Sequence, residues 1–189
     1  MLNLLSQVVN GVKGGVTSTL SGVGDIAGSV VGAVKDVTVT TLKESGDFVK
    51  QGVEVPASIV KGSLEGIASI GTASVGAVKG VVDGTVQGFI EGGGKQDDAV
   101  NGAVAQAIIS SKDLGEDVTD TAVSAVKGAV EAVGSVGGDT ASATKEAVQT
   151  AFTTATEVGG ASVDSVTEAL KSGVDGAGDI LESMKKPRT

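Results

Sequence analysis

The chain has 189 residues, a net charge of −9 and neither cysteine nor histidine. The acidic balance excludes nucleic acid as an expected partner, because binding to it requires a basic surface. Without histidine or cysteine, the commonest acid–base groups, nucleophiles and transition-metal ligands are missing, so we expect no enzyme activity, no cofactor and no metal site.

The apolar residues are mostly small, and glycine is abundant. Aromatic residues make up 2% of the chain, whereas there are 30 glycines. Each glycine costs about 0.8–1 kcal/mol relative to alanine inside a helix, and ordering the backbone costs about 1–2 kcal/mol per residue. We therefore expect a weakly stable chain that is largely disordered when free and folds on contact with a surface or partner.

The first predicted element is a helix that opens with an apolar cluster. Leu2, Leu5 and Val8 recur at helical spacing, and leucine favours helix. This segment has neither the basic region nor the continuous apolar run of a signal peptide, and no segment of the chain is long and apolar enough to span a membrane. The expected location is the cytoplasm.

From Gly11 to Lys186 an eleven-residue pattern repeats without insertion, as in AVKGVVDGTVQ at residues 77–87. Eleven residues make three helical turns at about 3.67 residues per turn. At that period, positions two, five, six, nine and ten of the unit lie side by side and form one apolar face. The pattern predicts an all-α protein built from long amphipathic helices.

This apolar face is the predicted surface for lipid or for a partner. The residues assigned to it are Leu2, Leu5, Val12, Val16, Leu20, Val23, Ile26, Val31, Val37, Leu42, Phe48, Val53, Ile59, Leu64, Ile70, Val75, Val78, Val81, Val86, Phe89, Val100, Val104, Ile108, Val126, Val130, Val136, Val148, Phe152, Val158, Val163, Val166, Leu170, Val174, Ile180 and Leu181.

The charged residues also follow the repeat. Lysines at position three line one edge of the face, where they are predicted to meet the interface: Lys13, Lys35, Lys79 and Lys145. Lysines at position seven each have an acid four residues later, a spacing that stabilises a helix by about 0.2–0.5 kcal/mol per pair. These pairs are Lys50–Glu54, Lys61–Glu65, Lys127–Glu131 and Lys171–Asp175.

Two features interrupt the face without shifting the register. Pro56 lacks a backbone N–H, so it is predicted to kink or restart the helix. Gly92, Gly93 and Gly94 precede four polar residues and predict a hinge. The predicted organisation is a first helical arm over 1–91, a hinge loop over 92–98, a second helical arm over 99–184 and a basic tail over 185–189, with the arms either extended or folded into an antiparallel hairpin.

The same face also fits a helical bundle or a right-handed coiled coil. Two columns argue against the bulky knobs of a coiled coil, because position nine is mostly small or polar and position six is often glycine. The glycines at position six include Gly71, Gly93, Gly115, Gly137 and Gly159. Small residues also permit close approach of helices, so this alternative stays open.

Several repeats resemble those of known lipid-binding families. AVKGVVDGTVQG (77–88), SAVKGAVEAVG (124–134) and GVTSTLSGV (15–23) resemble the eleven-residue repeats of synucleins and perilipins. That resemblance implies reversible coating of vesicles or lipid droplets by an extended helix. The eleven-residue repeats of late-embryogenesis-abundant proteins are distantly similar, although those proteins are more hydrophilic than this chain, whose mean hydropathy is +0.25.

Three functions are therefore expected from the sequence. The first is a non-enzymatic coat on a neutral or weakly anionic lipid surface, peripheral to membranes or lipid droplets. The second is a structural protein that packs its face against itself as a hairpin, bundle or filament. The third is a desiccation or stress protectant that folds when water is lost.

Overall fold

The architecture is all-α, as predicted, in a computed structural model that describes residues 2–21, 26–44, 52–71 and 74–185. Those residues contain no strand. The helices in this part of the chain are α1 (Leu2–Leu20), α2 (Ile26–Glu44), α3 (Glu54–Ser69), α4 (Val75–Glu91), α5 (Gln96–Asp113), α6 (Val118–Ser135), α7 (Thr140–Val158), α8 (Val163–Gly173) and α9 (Ala177–Lys185).

Helices end at glycines that recur every 22 residues: Gly71, Gly93, Gly115, Gly137 and Gly159 have φ values from +71° to +93°. This left-handed conformation suits glycine because it has no Cβ. Around Gly93, Gly115 and Gly137, the N–H of the following residue bonds to the carbonyl five residues earlier, at 2.8 Å in each case. These bonds end the helix and satisfy its last carbonyls.

Polar side chains start the next helices. Ser74, Asp117, Asp139 and Ser162 each precede a helix, and their side-chain oxygens accept hydrogen bonds from backbone N–H groups of its first turn. Such caps contribute about 1 kcal/mol each. At Gly115, Gly137 and Gly159, the glycine and the cap that follows it make a defined turn between two helices.

The helices form two layers. Among α1 to α6, helices two apart in sequence have more extensive contacts than consecutive helices, and α7, α8 and α9 also contact the helix two before them. The first layer is therefore α1, α3, α5, α7 and α9, and the second layer is α2, α4, α6 and α8. Most consecutive helices touch across the two layers. This is the arrangement of a helical solenoid, in which each unit buries its apolar face against its neighbours.

Glycines allow the helices within a layer to approach closely. A Cβ added to Gly62 or Gly66 of α3 would lie 2.5 or 3.0 Å from the carbonyl oxygen of Val9 or Lys13 of α1. Gly84 of α4 would meet α2 in the same way. Gly66 comes four residues after Gly62, and Lys13 comes four residues after Val9. Helices α1 and α3 therefore run parallel.

The structure differs from the two long arms that the sequence predicts. Residues 1–91 contain α1 to α4, and residues 99–184 contain most of α5 and the helices after it. The first seven helices have 16 to 19 residues each. The positive-φ glycines at 71, 93, 115, 137 and 159 set a unit of 22 residues, which is twice eleven. A turn therefore interrupts the helix without disturbing the apolar columns, and the chain folds back repeatedly rather than once.

The predicted hinge lies in one of these turns. Gly92 follows the end of α4, and Gly93 has φ +93°. Gly94 lies so close to the ring of Phe89 that an added Cβ would overlap it. α5 begins at Gln96, and α3 and α4 both contact it, so the layers continue across this turn.

Two further predicted features are the kink or restart at Pro56 and the basic tail. Pro56 lies in the first turn of α3, where a missing N–H removes no helical hydrogen bond. Of the predicted basic tail, Lys185 ends α9. Residues 186–189 lie outside the described residues.

Replacing Gly115 with alanine is expected to destabilise the fold by about 1–2 kcal/mol, because a left-handed conformation with a Cβ is strained. Gly115 has φ +79°, and no atom lies within 4 Å of the added Cβ, so strain is the only cost. Urea unfolding measures the change. Gly115→Asn should cost less, because asparagine tolerates this conformation; equal losses for the two variants would contradict the assignment.

Candidate functional site

Most described residues of the predicted apolar face are buried in the core. In this fold the side chains of these residues contact neighbouring helices of the same chain, and contact with lipid would require the helices to separate. The buried members are Val12, Val16, Leu20, Leu42, Ile59, Leu64, Val78, Val81, Val86, Phe89, Val100, Val104, Ile108, Val126, Val148, Val166, Leu170, Val174 and Leu181.

The remaining members of the face lie at the margins of the core. Val53 and Val163 are exposed. Val23 and Phe48 lie outside the described residues, as do the side chains of Leu2 and Ile26. The partly buried members are Leu5, Val31, Val37, Ile70, Val75, Val130, Val136, Phe152, Val158 and Ile180.

Three of the predicted edge lysines form ion pairs between helices of one layer. Lys13 of α1 lies 3.9 Å from Glu65 of α3. Lys35 of α2 lies 2.8 Å from Glu91 of α4.

Lys79 of α4 makes the third pair, at 2.8 Å from Glu131 of α6. Glu65 and Glu131 were predicted to pair with the lysine four residues earlier on the same helix. In the structure each pairs with a lysine of a neighbouring helix. Lys171 pairs with Glu182 of α9, at 3.6 Å. Exposed pairs of this kind contribute little individually to stability.

A buried carboxyl group lies among these pairs. Asp83 of α4 is 9% exposed, and its Oδ1 accepts a hydrogen bond of 2.7 Å from Gln87 Nε2. Burial raises the pKa of Asp83, with a smaller rise from Glu131, whereas the hydrogen bond from Gln87 and the charges of Lys79 and Lys35 lower it. The net direction is upward, so the ionised form is disfavoured in the fold.

Acidic side chains also meet where α5 and α7 begin. Burial, the charge and hydrogen bond of Asp97, and the charge of Asp98 raise the pKa of Glu146, and Lys145 opposes them. Glu146 Oε2 is shielded from solvent and has no hydrogen-bond partner among the described residues. Lys145, the fourth predicted edge lysine, is exposed beside this cluster.

An apolar groove of about 390 Å³ crosses the outer surface of the first layer. It is lined by Val53, which precedes α3, by Ala57 of α3, and by Gly102, Ala105 and Ile109 of α5. Val53 is 43% exposed and Ile109 is 37% exposed. Val53 and Ile109 are thus two large apolar side chains that are exposed in the same groove.

The sequence carries no specific signal for the buried acid. Position seven of the repeat holds Lys50, Lys61, Lys127 and Lys171, but it also holds the acids Glu116 and Glu182, which are not buried. The ion pairs between helices had no signal either, because they depend on which helices become neighbours.

No group of three or more potential metal ligands comes together in the part of the chain that the structure describes. Nor does any helix there combine the length and apolar character needed to cross a bilayer. Comparison with models of known protein families gives no match, and comparison with curated proteins gives none either.

Proposed function

We propose that this protein is a non-enzymatic structural protein whose functional part is the helical stack itself. The observation that carries the proposal is the burial of the apolar face. Val81 of α4, Val104 of α5 and Val126 of α6 are each 0% exposed, so helices of the same chain already occupy the surface that would otherwise need a partner. The outer surfaces of the two layers then serve as a scaffold.

Circular dichroism in buffer tests this proposal. A structural stack is expected to be strongly helical without lipid and to melt cooperatively, because its core is formed within the chain. A coil in buffer that becomes helical on neutral vesicles would instead support the lipid coat implied by the likeness to synucleins and perilipins. A coil that becomes helical only on drying would support the protectant.

A lipid-surface coat is the second candidate, and the apolar groove favours it. The groove between α3 and α5 exposes Val53 and Ile109 beside an almost wholly apolar lining. Such a surface could lie against the apolar part of a membrane or lipid droplet without the helices separating. The protein would then be cytoplasmic and peripheral to that lipid.

The double substitution Val53→Ser with Ile109→Ser is expected to reduce flotation with phosphatidylcholine vesicles several-fold if the groove contacts lipid. Only about two-fifths of each side chain remains to be buried, so the two substitutions together remove on the order of 1 kcal/mol of burial, less than the full burial of one such side chain provides. Val163→Ser is the matched control, because Val163 is 50% exposed but does not line the groove. Equal flotation of the double variant, the control and the native protein would contradict a role for the groove.

A further inference from the structure

We infer that Asp83 competes with Glu131 for the Lys79 ammonium group, so that protonation of Asp83 tightens the contact between α4 and α6 and its ionisation loosens that contact. The device is a pH-dependent clamp within the second layer. It goes beyond the proposed structural function, because it makes the stiffness of the stack respond to acidity.

The ammonium group of Lys79 binds Glu131, and a second carboxyl group, that of Asp83, follows it by four residues on the same helix. Lys79 Nζ is 2.8 Å from both carboxylate oxygens of Glu131, which reaches it from α6. Asp83 follows Lys79 by four residues on α4, a spacing that places two side chains on the same face of a helix. A rotamer change of Lys79 would therefore exchange a bond between helices for one within α4.

The backbone holds Asp83 at this contact. A Cβ added to Gly128 of α6 would lie 2.5 Å from the carbonyl oxygen of Lys79 and 3.3 Å from the amide nitrogen of Asp83. The two helix backbones therefore approach each other closely beside the buried carboxyl group. Gln87 also holds Oδ1 of Asp83 by a hydrogen bond of 2.7 Å, so the carboxyl group is fixed on this face of α4.

The two lysines whose charges act most on Asp83 are each already paired. Lys35 from α2 is 2.8 Å from Glu91, and Lys79 is bound by Glu131. An ionised Asp83 is therefore a third carboxylate beside two lysines that are each already paired.

The nearby elements carry further charged groups. Among charged side chains, those with the largest effect on Asp83 are Glu131, Lys79 and Lys35. Charged residues on the helices packed against α4 are Lys35, Asp36 and Lys43 of α2, Glu54, Lys61 and Glu65 of α3, Asp97, Asp98, Lys112 and Asp113 of α5, and Asp120, Lys127 and Glu131 of α6.

The sign of the pH dependence follows from the burial of Asp83. Its pKa is raised in the folded chain, chiefly by burial. Between the ordinary value and the raised one, the folded state binds more protons than the unfolded state. The free energy of unfolding therefore falls as pH rises through that interval, which is opposite to the usual behaviour of an ion-paired aspartate.

Asp83→Asn tests the clamp, because asparagine resembles the protonated carboxyl group and its Oδ1 can still accept the bond from Gln87. We expect the unfolding equilibrium constant at neutral pH to fall at least threefold. We also expect amide exchange in α6 to slow. Asp120→Asn is the matched control, because Asp120 is an exposed acid on α6 and its loss removes the same charge without touching the clamp.

A double-mutant cycle separates competition from a simple cost of burial. Lys79→Met and Glu131→Gln are made singly and together, with and without Asp83→Asn. The coupling between Lys79 and Glu131 should be at least threefold larger, as a factor in the unfolding equilibrium constant, in the Asp83→Asn background. Unchanged coupling would overturn the inference, as would equal pH dependence of the native protein and Asp83→Asn from about pH 4 to pH 8.

Discussion

Gly84→Ala is expected to destabilise the protein by about 2 kcal/mol, a fall of about 4–8 °C in the melting temperature. The added Cβ would lie 2.5 Å from the carbonyl oxygen of Val31 and 3.0 Å from both the amide nitrogen of Lys35 and Cβ of Val34. Backbone atoms cannot rotate out of the way, so α4 must move off α2. This cost exceeds the gain of about 1 kcal/mol that alanine brings to a helix.

Two other glycines give matched controls. No atom lies within 4 Å of a Cβ added to Gly14 in the middle of α1, and the nearest atom to one on Gly76 of α4 is Ser74 Oγ at 3.8 Å. Gly14→Ala should stabilise the fold by up to about 1 kcal/mol through helix propensity alone, and Gly76→Ala should be close to neutral. Thermal unfolding of the three variants measures the difference. If Gly84→Ala, Gly14→Ala and Gly76→Ala all changed stability in the same direction, the result would contradict the close packing of α4 against α2.

Glycines that lie between helices and glycines that face solvent have opposite effects on stability, and the composition does not distinguish them. The number of glycines indicated a chain too costly to fold alone, because each was counted as a loss of helix stability. Gly62, Gly84 and Gly128 instead permit contacts between helix backbones that no larger residue allows. The sequence does not say which glycines have this role, since that depends on the helix that lies opposite.

The fold class could be predicted from the sequence. The ends of the helices could not be recognised from the eleven-residue period alone. The five glycines at position six were interpreted as gaps in a coiled-coil face. They are spaced by 22 residues, and each has positive φ. Together with capping residues such as Asp117 and Asp139 shortly after the glycine, this longer period was the available sign of a helix–turn unit.

The charged surface was predictable in part. The lysine columns predicted Lys13, Lys35 and Lys79 at the edge of a lipid or partner interface, and in the structure these lysines form ion pairs between helices of one chain. A helical wheel shows which residues share a face and does not show which helix will cover that face. Ion pairs between α4 and α6 require knowledge of the layer order, which comes only from the packing.

Phe89→Ala is expected to cost about 3–5 kcal/mol in the free energy of unfolding, the range for removing a buried aromatic ring. Phe89 is 0% exposed and has the largest side chain among the fully buried residues of the described chain. Gly94, in the turn after α4, packs directly against its ring. Loss of the ring therefore leaves a cavity in the core and removes the surface under the turn that leads into α5. Urea unfolding followed by circular dichroism measures the cost.

Phe152→Ala is the control for this substitution, because Phe152 is only partly buried and water can fill the space that its ring leaves. Its cost should be clearly smaller, whereas Phe89→Leu, which keeps most of the volume, should cost less than about 1.5 kcal/mol. The same variants separate the two proposed functions. If the apolar face contacts lipid in place of a core, Phe89→Ala will weaken vesicle flotation and leave stability in buffer unchanged. If the face is the core of a structural stack, the loss will be in stability, and it will be present without any lipid.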